Sequence, residues 1–172
     1  MSNTEAPREM VLSVAIGDDI SYPQSHGEID AAIEQLVSAP YWRQPVRFAY
    51  SFGPAESFSD VCSFVLASVD TDTGYGGLIW SVTGRYPTHE WPFDNMWVSD
   101  NKMPPEVDPQ VLSDPHTPAF FDRCSALPIA QLKDALREFC RSGNGTRPTS
   151  IDWVVALSDN GMRLDREPEE QP

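Results

Sequence analysis

The chain has 172 residues and a formal net charge of −14, from 26 acidic and 12 basic side chains, with 40% hydrophobic residues. That length suits one domain with a proper core, and the excess of acid argues against direct contact with a nucleic-acid backbone. No run approaches the roughly 20 apolar residues of a membrane span, and Cys62, Cys124 and Cys140 lack CxxC spacing, so they read as buried thiols in a reducing compartment.

The N-terminal segment "MSNTEAPREM" is polar and acidic, unlike a secretory leader, and a cytoplasmic location is expected. Residues 9–16, "EMVLSVAI", are β-prone and closed by "GDD". Ser25 is a candidate helix cap. It precedes Ile29, Ala32, Ile33, Leu36 and Val37, spaced by three and four, and Pro40 stops the run. "VRFAYSF" (46–52) places Val46, Phe48, Tyr50 and Phe52 on one face of a strand. "VCSFVLASV" (61–69) and "YGGLIWSVT" (75–83) flank "DTDTG" and predict a hairpin. Asp70, Asp72 and Gly74 imitate the start of a calcium loop, but its twelfth position is Ser81 and not the required Glu, so the segment reads as a turn.

Between residues 87 and 122, prolines rule out long regular elements, and only "NMWVSD" (95–100) predicts a strand. This stretch interleaves Glu90, Asp94, Asp100, Glu106, Asp108, Asp114 and Asp122 with Trp91, Phe93, Trp97, Met103, Phe120 and Phe121, and reads as an ordered acidic and aromatic surface. Pro128 is expected as the first residue of a second helix with an apolar stripe of Ile129, Leu132, Leu136, Phe139 and Cys140. Gly143 suits its left-handed end. "SIDWVVAL" (150–157) is the last strand. The domain is expected to span 1–158, and 159–172 to form a flexible acidic tail.

The expected architecture is α+β: a largely antiparallel sheet of about five or six strands, two packed helices and a long Pro-rich loop region. Catalytic signatures are missing. His26, His89 and His116 are scattered, a G-x-S-x-G elbow is absent, and "GYGG" lacks the spacing of a phosphate cradle. No metal ligand, cofactor or catalytic residue is assigned. Arg147 either bonds carbonyls or a carboxylate at the corner after the second helix, or contacts a ligand. Trp153 is expected beneath that helix.

Several motifs occur together: Gly76-Gly77-Leu78, Trp97-Val98-Ser99, Leu127-Pro128, Arg137-Glu138-Phe139, Gly143, Arg147-Pro148 and Trp153. In this order, over about residues 46–156, the chain resembles the first-numbered immunity-protein family of bacterial polymorphic toxin systems. The longer "NGT" link between Gly143 and Arg147 departs from the pattern. The resemblance implies a non-enzymatic protein that binds and blocks a cognate toxin, often a nucleobase deaminase. A toxin with a basic nucleic-acid-binding surface is the partner expected, in a one-to-one complex with a monomer. Asp94, Trp97, Asp100, Glu106 and Asp108 are the expected contact residues. A small enzyme using clustered carboxylates, and a structural or ligand-binding module, are the alternatives.

Overall fold

A computed structural model describes residues 9–38, 45–54, 60–87 and 95–165. In chain order the strands are β1 (Val11–Ile16), β2 (Asp19–Ser21), β3 (Val46–Ser51), β4 (Val61–Asp70), β5 (Tyr75–Val82), β6 (Met96–Asp100), β7 (Leu112–Asp114), β8 (Ala119–Phe120), β9 (Leu127–Pro128) and β10 (Asp152–Val155). The helices are α1 (His26–Ser38), between β2 and β3, and α2 (Ile129–Arg141), between β9 and β10. Eight strands form one antiparallel sheet in the order β10-β6-β5-β4-β3-β1-β2, with β9 pairing the start of β5; β7 and β8 form a separate small ribbon. The α+β class, the antiparallel sheet and both helices are as expected. The additional strands are pieces of two or three residues, too short to carry a hydrophobic period.

Local chemistry sets the helix ends. Ser25 Oγ accepts from Glu28 N (3.2 Å), while the Glu28 carboxylate accepts from Gln24 N and Ser25 N, a reciprocal cap that opens α1 at His26. Pro128 caps α2 from outside, with ψ at 140°, and pairs Tyr75 across the sheet, so the helix begins one residue later than expected. Asp70 holds the β4–β5 turn by accepting from Asp72 N and Thr73 N, and this turn carries the calcium-like spacing.

Both helices cover one face of the sheet. Ile33, Leu36, Leu132, Leu136 and Phe139 pack there against Val14, Phe48, Val65, Leu78 and Trp80. Arg137 and Arg141 both bind Asp30 (3.1 and 2.9 Å), tying α2 to α1. The opposite face is covered at its β5–β6–β10 end, where Val111 and Phe121 from the Pro-rich region and Ala156 meet Ile79 and Val98. Strand β5 is therefore approached from both sides. A Cβ on Gly76 would stand 2.5 Å from Leu132 Cδ1, and one on Gly77 would stand 2.6 Å from the Phe121 ring. Close approach accounts for the paired glycines.

Beyond β10 the chain folds back on itself over residues 156–164. Leu157 N donates to Met162 O (2.8 Å), Leu164 N donates to Val155 O (3.0 Å), and Ala156 pairs with Arg163. The chain folds back because Arg163 is a buried cation whose acid partners lie in the domain and beside it.

Candidate functional site

Two regions bear on function: the corner after α2, with the cleft beside it, and the acidic Pro-rich surface.

The corner explains the sequence Arg137-Glu138-Phe139 residue by residue. Arg137 reaches α1, Phe139 enters the core, and Glu138 turns toward the following loop. Its carboxylate accepts from Thr149 N (2.7 Å), Thr149 Oγ1 (2.8 Å) and Ser150 N (2.9 Å). Partial burial pushes the Glu138 carboxyl up, but these donors outweigh it and hold the group below the ordinary glutamate range. Tyr50 Oη donates to Cys140 O (2.5 Å) and accepts from Gly143 N (3.2 Å). Gly143 has the left-handed backbone expected, φ 70°. Gly145, which the motif pattern passed over, is the buried center of the corner: its carbonyl accepts from Ser63 Oγ (2.9 Å) and Trp80 Nε1 (3.2 Å).

Arg147 does not bond the corner's carbonyls or a carboxylate among the described residues. Its guanidinium carbon lies 3.8 Å from the center of the Trp97 ring and 5.6 Å from that of Trp80. It is held by cation–π attraction, and no hydrogen bond or carboxylate meets it among the described residues. Register makes this possible, since Trp80 and Trp97 are directly paired across β5 and β6. Pro148 is buried, and its carbonyl accepts from Trp153 Nε1 (2.8 Å), fixing the ring against the helix-side core. Arg147, Trp80, Tyr86, Thr149 and Trp153 line a cleft of about 460 Å³. Replacing Arg147 with alanine removes both ring contacts and is expected to lower stability by about 1 kcal/mol in urea unfolding. An unchanged midpoint would show that the stack holds nothing.

On the opposite face a second groove, of about 560 Å³, runs beside Arg47, Phe64, Leu66 and Met96, where the covering layer stops. Among the described residues no group of three or more His, Cys, Asp or Glu could hold a metal ion. Burial pushes the Cys62 thiol up and the Cys140 thiol up to about 12, so neither is poised as a thiolate.

The expected contact residues separate. Asp94 lies outside the described residues, as do His89, Glu90, Trp91 and Phe93. Trp97 is partly covered by Arg147. Asp100 is buried, accepting from Arg163 Nη2 (2.8 Å) and paired with Lys102. It is an internal anion, for a reason sequence could not supply: its main partner is 63 residues away. Glu106 is exposed and Asp108 partly so, in one loop. Met103 and Val107, in that same loop, are exposed apolar residues set among Pro104, Pro105 and Pro109.

No helix among the described residues is long and apolar enough to cross a membrane. No curated protein and no solved structure matches the chain significantly. The family model described as immunity protein Imm1 does match, over residues 17–155, a span that takes in α1 and β3 as well as the motifs around Trp97 and the corner. With most of its length matched, including the sheet from β2 through the Trp153 strand, this chain belongs to the Imm1 family of immunity proteins.

Proposed function

We propose that this immunity protein acts in the cytoplasm as a monomer. It binds one copy of a toxin that attacks nucleic acid, of the nucleobase-deaminase kind, and covers its substrate groove or pocket mouth. The observation that carries the reading is the charge: −14 on a chain of this family. An enzyme that modifies nucleic acid needs a cationic surface to hold the phosphates. An acidic protein is steered to that surface and competes for it.

The test is co-expression of the toxic C-terminal domain encoded beside this gene, with and without this protein. Survival only in its presence, and a one-to-one complex by light scattering, are expected. The association rate should fall about tenfold or more as salt rises from about 50 to 500 mM, because the Debye length shrinks below the reach of the steering field. A toxin that is itself anionic, or a rate indifferent to salt, would defeat the electrostatic part. Failure to protect would defeat the whole.

A further inference from the structure

We infer that residues 102–110 form the toxin-facing knuckle, with Met103 and Val107 as apolar anchors and Glu106 and Asp108 as the acidic rim. This rests on the toxin-binding reading above and adds the surface and the chemistry it recognises: an apolar recess set in a cationic protein surface.

Met103 and Val107 are 82% and 80% exposed, the highest among the large apolar side chains described, with Leu157 next at 64%. Single exposed apolar residues are ordinary on any surface. These two differ because the backbone that presents them is fixed from several sides. Asn101, buried at the base, donates from Nδ2 to Ala126 O (2.6 Å) and accepts from Met103 N (2.9 Å). Arg123 Nη1 donates to Pro105 O (2.9 Å). The Asp108 carboxylate accepts from Gln110 N (2.9 Å) and Gln110 Nε2 (3.1 Å). Pro104, Pro105 and Pro109 restrict the backbone further. Gln110 has φ 54°, the one non-glycine left-handed residue described, and closes the loop. Strain of that kind persists only where the surroundings impose it.

A loop held this way has already lost the entropy that binding would otherwise remove, so its anchors insert at little further cost. Charge completes the match. Lys102 is paired with Asp100, and among the described residues Glu106 and Asp108, beside the two anchors, form no ion pair. A cationic partner is drawn to that rim while the anchors supply the desolvated center of an interface.

The experiment measures affinity for the toxic domain encoded beside this gene, by calorimetry, with the native protein and three variants. Met103→Asp with Val107→Asp should weaken binding about a hundredfold or more, as loss of a central anchor does, while melting is unchanged. Glu106→Lys with Asp108→Lys should slow association and flatten its salt dependence. Leu157→Asp with Leu164→Asp, elsewhere on the surface, should leave affinity as it is. Native binding that survives the first variant within about threefold, or that is lost in the third variant alone, overturns the knuckle and leaves the immunity reading standing. So does self-association that the first variant abolishes without changing toxin affinity. No binding by the native protein overturns both.

Discussion

Replacing Asp100 with alanine is expected to lower stability by about 3 kcal/mol, the usual cost of leaving a buried ion uncompensated. Asp100 ends β6, and its side chain and that of Arg163 are 7% and 5% exposed. Arg163 Nη2 bonds Asp100 at 2.8 Å, its Nη1 reaches Ser125 Oγ (3.3 Å), and Asp165 accepts from Nε and Nη2. Without Asp100, Arg163 keeps, among the described residues, only the half-exposed Asp165 as an ion partner, and the fold-back of 156–164 loses its internal anchor. For a chain of this size the loss should appear as about 6–12 °C in the melting midpoint. It should also appear as new protease sensitivity after Ala156. An unchanged midpoint would mean that the pair contributes nothing net.

The same group gives a pH signature. Burial pushes the Asp100 carboxyl up, but hydrogen bonds and charge from Lys102 and Arg163 outweigh it, and the group titrates below the ordinary 3.8. A carboxyl depressed in the folded state contributes fully above its unfolded value and loses that contribution as pH falls through the folded one. The difference in midpoint between the native protein and Asp100→Asn should therefore hold steady from about pH 8 to pH 5 and shrink below about pH 4. Because Asp100 is internal, reversing its charge tests folding first, whereas Glu106 is exposed and carries no such internal pair among the described residues.

This contrast marks where sequence stops being informative. Periods of two and three to four residues exposed β3, α1 and α2, because one buried face repeats along each. Phe52 broke the β3 pattern. It was expected beside Phe48 and Tyr50, but the register shifts between Tyr50 and Ser51, and Phe52 emerges into solvent. Strands β2 and β9 exist because a long neighbor pairs with them, a cause that lies outside their own residues. The acidic surface was legible as composition. Nothing local distinguishes Asp100 from Glu106, since what separates them is Arg163 arriving from the far end of the chain. The Arg147 stack likewise needs β5, β6 and the corner at once.

Gly145 carries that point to its sharpest test. Gly143→Ala and Gly145→Ala look alike in sequence, two residues apart in one loop, and both glycines have left-handed backbone, at φ 70° and 69°. Each substitution should cost about 1–2 kcal/mol for that conformation alone. At Gly143 nothing lies within 4 Å of the added carbon, so the cost stops there. At Gly145 the added carbon would overlap Ser63 Oγ outright and stand 3.2 Å from the Tyr50 side chain. Ser63 is fully buried, and its hydroxyl can move aside only by giving up its bond to the Gly145 carbonyl. The alternative is displacement of that carbonyl, which would also strip Trp80 Nε1 of its acceptor. Overpacking and a stranded buried donor each add about 1–3 kcal/mol, so Gly145→Ala should lose about 4 kcal/mol in all. Denaturant midpoints of the two variants, measured side by side, decide it. Equal losses would mean that the corner is held by backbone conformation alone, whereas a large gap places its strength in the contact between Gly145 and β4, where Tyr50 and Trp80 already converge.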